Sequence, residues 1–91
     1  MKVVIWMPYI FFNFFGMDGY VYDERGERHH MPHLHVYCGE EELEFYFDGE
    51  LHKGNIKALS RRQKKELKKW IRENQGLLVN KWKELNSDGE P

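Results

Sequence analysis

The run His33-Leu34-His35-Val36-Tyr37-Cys38, followed after Gly39 by Glu42-Leu43-Glu44-Phe45-Tyr46-Phe47, decides how this chain folds. Both stretches alternate with a period of two, the repeat of an extended strand whose side chains leave on opposite faces. Leu34, Val36 and Cys38 share one face; His33, His35 and Tyr37 share the other. In the second stretch Leu43, Phe45 and Phe47 point inward, so an antiparallel pair with one apolar face is expected.

The same grammar extends outward in both directions. Upstream, Tyr9 to Phe15 is aromatic and β-prone, Gly16-Met17-Asp18-Gly19 has turn composition, and Tyr20-Val21-Tyr22-Asp23 returns, which reads as a hairpin. A polar break at Arg25-Gly26-Glu27-Arg28 continues through His29, His30 and Met31 to Pro32, a residue suited to the mouth of a strand because it lacks a donor. Downstream, Asp48-Gly49 marks a turn, Glu50-Leu51-His52 adds a short extended piece, and His52, alone after that turn, reads as a surface residue.

Helical spacing takes over from residue 60. Ser60 with Gln63 three positions on is a capping-box pattern. Leu67, Trp70 and Ile71 make one apolar stripe and Leu78, Trp82 and Leu85 another, with Asn74 and Gly76 placing a break between two helices at 74–76; one long helix is the alternative. The fold class is therefore α+β: a small antiparallel sheet of about four strands followed by one or two C-terminal helices packed on one face. A single domain over 7–86 is expected, with an N-terminal extension at 1–6 and a polar tail at 87–91.

Composition bounds what this domain can be. Ninety-one residues, 41% apolar and 15% aromatic, suffice for one compact core and not for two. Cys38 is the single cysteine, which excludes an internal disulfide or a cysteine-based metal cage and fits a reducing, cytoplasmic setting. The most apolar run, Val3 to Phe15, is shorter than the ~20 residues needed to cross a bilayer, so no membrane role is expected.

The net charge of −1 conceals a strong segregation. Residues 1–52 carry a balance of −7 and residues 53–83 a balance of +9. Between Arg61 and Arg72 stand seven bases and one acid, Glu66. Like charges recur there at i,i+4, each costing roughly 0.2–0.5 kcal/mol in an exposed helix and about 1–2 kcal/mol together. Lys64, Lys65, Lys68, Lys69 and Arg72 are thus candidate partner-binding residues. An acidic protein, a second copy of the chain, its own acidic strand Glu40 to Glu44, or nucleic acid would each relieve the repulsion, and a solvated lysine-rich face is the plain alternative. The aromatic supply (Trp6, Phe11, Phe14, Phe15, Tyr20 and Tyr22) exceeds what one small sheet face buries, and it favours association with protein.

Four of the five histidines fall between His29 and His35. His33 and His35 leave one face of a strand about 6.5 Å apart, within reach of one Zn²⁺ or another divalent metal. His29 is then a candidate third ligand from the loop, and Glu42 or Glu44 a carboxylate donor from the next strand. No cofactor is required by the sequence. A second reading is metal-free acid–base chemistry, in which His33, His35 and Tyr37 are the catalytic candidates of a small ribonuclease. The third is structural: paired imidazoles on a solvated sheet face that simply hydrogen-bond their neighbours.

The string His29-x-x-Pro32-His33-Leu34-His35-Val36 resembles the signature of a small prokaryotic family, domain of unknown function 4160. Other pieces agree in order: Met7-Pro8, the aromatic strand and turn from Phe12 to Tyr22, the acidic strand Glu41 to Phe47, then Glu73-Asn74 and Leu78 to Trp82. The resemblance covers about residues 7–85. It implies a component of a two-gene cassette of toxin–antitoxin type, with a protein or RNA partner and no established activity. The leading expectation is thus a small cytoplasmic interaction module binding a protein partner. The alternatives are a ribonuclease or metal-binding hydrolase on the His33/His35 face, and nucleic-acid binding through helix 61–72.

Overall fold

The computed structural model describes residues 9–22 and 31–86. Five strands form one antiparallel sheet in sequence order: β1 (Tyr9–Phe14), β2 (Met17–Val21), β3 (His33–Cys38), β4 (Glu41–Tyr46) and β5 (Leu51–Lys53). Two helices follow, α1 (Arg61–Glu73) and α2 (Gln75–Asn86), after a short 3₁₀ turn at Ile56–Ala58. The α+β class holds, with a fifth, three-residue strand where about four were expected. The extension at 1–6, the pair Met7-Pro8, and the loop bearing Arg28, His29 and His30 lie outside the described residues, as does the tail at 87–91.

The first hairpin turns more tightly than its composition suggests. Only Phe15 and Gly16 form the turn, both at positive φ (49° and 74°), the pairing whose twist suits a two-residue hairpin. Met17, Asp18 and Gly19, expected in the turn, instead belong to β2, with Met17 buried. Gly19 is needed in the strand because Phe12, paired opposite, lays its ring over it: a Cβ there would stand 2.2 Å from that ring. An irregularity between Ile10 and Phe12 breaks the alternation of β1, and both Phe11 and Phe12 reach Trp70 of α1, at centroid distances of 6.1 and 4.7 Å. Of the aromatics read as an excess, Phe11 is absorbed in this way and Phe14 also packs against the core. Phe15 stays half exposed, with the Arg62 guanidinium 4.9 Å above its ring.

The apolar sheet face supplies Met17, Val21, Leu34, Val36, Leu43 and Phe45 to a core closed by Leu67 and Ile71 of α1 and Leu78 and Trp82 of α2. Each half of the capping box is made, Gln63 N donating to Ser60 Oγ at 3.0 Å and Ser60 N to Gln63 Oε1 at 2.8 Å. The helices separate at Asn74, whose side-chain amide donates to Trp70 O at 2.9 Å while its own carbonyl accepts from Leu78 N at 3.0 Å. One residue thus ends α1 and begins α2, and the break expected at 74–76 is present. Gln75 Nε2 donates to Phe47 O at 2.8 Å and Asn86 Nδ2 to Tyr22 O at 3.2 Å, so α2 is tied at its two ends to residues just beyond β4 and β2. Among the described residues no helix is long and apolar enough to cross a membrane.

Candidate functional site

Strand register builds the polar face. His35 pairs with Tyr20 on one side and Glu44 on the other, Tyr37 with Asp18 and Glu42, and His33 with Tyr46. Paired residues share a face, so histidines, tyrosines and carboxylates converge on the side opposite the apolar core. The imidazole rings of His33 and His35 lie side by side, 4.9 Å between centroids.

Their exposure differs from the expectation. The face was read as solvated, yet His33 and His35 are only 7% and 8% exposed. The Tyr22 ring stands edge-on to His35 at 4.5 Å, and Trp82, reaching from α2, packs on His33 at 5.5 Å. The period-two pattern gives the correct face; it carries no information about a tryptophan arriving from a helix some fifty residues later.

Hydrogen bonds fix the rings. His33 Nδ1 bonds the Met31 carbonyl and His35 Nδ1 bonds Glu42 Oε2 at 2.9 Å; both oxygens only accept, so both Nδ1 atoms carry the proton. In neutral His33 the lone pair is then on Nε2, which lies 3.6 Å from Glu44 Oε1. Glu44 is the centre of the group, with His35 Nδ1 3.9 Å from its Oε2 and His52 Nε2 3.8 Å from its Oε1. His33, His35 and Glu44 each offer one ligand atom within 4.8 Å of the other two. Tyr37, hydrogen-bonded to Tyr22 at 2.8 Å and donating to Glu42 at 3.2 Å, has its pKa pushed well above the usual phenol value. Burial is the main cause, followed by the Tyr22 contact and the Glu42 charge. At neutral pH it is therefore a proton donor, unsuited to act as a base.

Of the residues picked from sequence, His33, His35 and Tyr37 come together on this face, and Glu42 and Glu44 join them. His29 lies outside the described residues. His52 is exposed, as expected of a surface residue, but it does not stand alone: it closes the group, its Nδ1 hydrogen-bonded to Tyr46 Oη at 2.7 Å. An irregularity between Glu44 and Phe45 in the β4–β5 pairing hides this position from simple counting along the chain.

The basic residues occupy the other side of the molecule. Arg61, Lys65, Lys68 and Arg72 follow one another at helical spacing along exposed α1, with Lys69 exposed and Lys64 half-buried beside them. None of the ion pairs among the described residues involves these bases. The acids Glu42 and Glu44 stand on the opposite sheet face, so the chain's own acidic strand does not neutralise α1.

The sequence model described as Domain of unknown function (DUF4160) matches residues 16–83, which hold strands β2 to β5, both histidines of β3 and nearly all of both helices. The chain belongs to the DUF4160 family. No curated protein and no solved structure matches it. The matched DUF4160 segment contains His33, His35, Glu44 and His52 as well as all seven bases of α1, so both candidate surfaces lie within the family's span.

Proposed function

We propose that this DUF4160 chain is a cytoplasmic interaction module of a two-gene, toxin–antitoxin-type cassette, and that the exposed basic face of α1 docks an acidic surface of the partner protein. The observation that carries the reading is the row Arg61, Lys65, Lys68 and Arg72: like charges at helical spacing, in no ion pair among the described residues and on the side of the sheet away from Glu42 and Glu44. Such a row weakens its own helix, and an external anionic surface offsets that cost while steering the encounter. Co-expression with the product of the adjacent gene is expected to give a complex that survives size-exclusion chromatography. The triple change Lys65→Glu, Lys68→Glu and Arg72→Glu should weaken it by about 100-fold or more through like-charge contact, with an unchanged circular dichroism spectrum. A complex indifferent to the reversal removes α1 from the interface. RNA or DNA binding that falls with a log–log salt slope of about −4 would instead assign the row to about four phosphates.

A second reading, a small ribonuclease or hydrolase working from the opposite face, is supported by the paired imidazoles 4.9 Å apart beside a Tyr37 held in its protonated form. General acid–base catalysis of this kind contributes about 10²–10⁴-fold. Loss of RNA cleavage in the His33→Gln/His35→Gln chain, with retained cooperative unfolding, is the expected result; a lowered melting temperature and no other change makes the histidines structural.

A further inference from the structure

Glu44 is a carboxylate in a half-enclosed setting, its side chain 14% exposed, and it faces three imidazoles. Two facts about that arrangement point the same way. The first is electronic. Because His33 Nδ1 donates to the Met31 carbonyl, neutral His33 turns an electron pair toward Glu44 Oε1, and two electron-rich groups at 3.6 Å attract a positive charge into the gap between them. The second is the outer layer. Each histidine has Nδ1 bound to an oxygen: His33 to Met31 O, His35 to Glu42 Oε2, His52 to Tyr46 Oη. Tying one ring nitrogen to a carbonyl or carboxylate is the device by which proteins orient an imidazole for a metal.

From this geometry we infer that His33, His35 and Glu44 form a binding site for one divalent transition-metal ion of the Zn²⁺ type, with His52 bordering its remaining coordination position. Nitrogen and oxygen ligands at ~2.0–2.1 Å from a tetrahedral ion stand about 3.3 Å apart. The 3.6 Å between His33 Nε2 and Glu44 Oε1 needs only a few tenths of an ångström of contraction, and His35 offers a ligand atom within 4.8 Å of both. Two imidazoles and one carboxylate suit Zn²⁺ over Mg²⁺ or Ca²⁺, which prefer oxygen ligands alone. Such a set leaves a position for water or for a substrate oxygen. The site deepens the hydrolase reading, yet binding of the ion is measurable whether or not anything is cleaved, and it is separate from docking at α1. Glu44 is one of the two carboxylate donors read from sequence on the next strand, while His29, the third ligand read there, lies outside the described residues.

The test uses the full chain without a histidine tag, freed of metal with a chelator and titrated with Zn²⁺ by calorimetry. Co²⁺ absorption serves as a second readout. One equivalent is expected to bind, with a Co²⁺ spectrum typical of four-coordinate nitrogen and oxygen ligation. Glu44→Gln, nearly isosteric, should weaken Zn²⁺ binding by about 100-fold while the unfolding transition of the metal-free chain stays cooperative. Glu42→Gln, acting only through the orientation of His35, should weaken it by about 10–100-fold. An absence of stoichiometric binding overturns the inference and leaves the group as a proton-bridged ion pair. Binding that is unchanged in Glu44→Gln and in His33→Gln also overturns it, placing the ion elsewhere in the chain. RNA cleavage that persists in metal-free protein would uphold the hydrolase reading while sinking the metal site.

Discussion

Replacing Phe45 with alanine is expected to lower the free energy of unfolding by about 3–5 kcal/mol, the cost of deleting a buried ring and leaving a cavity that its neighbours fill only in part. Phe45 is 1% exposed and is the bulkiest of the fully enclosed side chains among the described residues. It pairs with Leu34 on one side and Leu51 on the other, so the void would open in the centre of the sheet, where strand pairing restricts collapse. A domain of this size has roughly 5–14 kcal/mol to lose, so the substitution removes between a fifth and all of its stability. Urea unfolding followed by circular dichroism measures the effect. Leu77→Ala, at a half-exposed position on α2, is the control and should change stability by about 0.5 kcal/mol or less. If the Phe45 variant lost only as much as this control, the apolar face would be wrongly assigned.

The second large effect concerns Trp82. Its ring contributes to the core through Phe47, 6.2 Å away, and covers His33 at 5.5 Å. Trp82→Ala should again cost about 3–5 kcal/mol, but with a consequence that Phe45→Ala lacks. Removing the indole admits water to His33, so diethyl pyrocarbonate should modify that imidazole several-fold faster than in the parent chain under conditions where both remain folded. Trp82→Phe keeps part of the cover and should fall between the two. Equal modification rates in all three proteins would show that Trp82 does not shield the histidine.

Sheet and helices were legible because they rest on periodicity and local chemistry. Alternation in His33 to Cys38 and Glu42 to Phe47 assigned both faces correctly, and Ser60 with Gln63 located the start of α1. What escaped depends on contacts distant in the chain. Met17, Asp18 and Gly19 look like turn residues, and only the Phe12 ring above Gly19 explains why a glycine belongs in β2. The burial of His33 and His35 depends on Tyr22 and Trp82, whose positions follow from the packing of the hairpin and of α2. Glu44 was within reach of reading, since a tight turn at Gly39-Glu40 fixes its register opposite His35. His52 was not, because the irregular β4–β5 pairing shifts the count by a residue.

Each strand of the sheet hydrogen-bonds to its immediate successor in the chain, from β1 through β5. Hairpins of this kind close short loops and lose little entropy in doing so, whereas the bond from Asn86 to the Tyr22 carbonyl joins residues 64 positions apart. Zippering of the meander can therefore run ahead while the last helix is still undocked. On a ribosome the order is stricter, since Glu44 and its three histidines leave the exit tunnel before Trp82 does. Cations and water thus have access to the nascent imidazole cluster before the indole arrives to cover it.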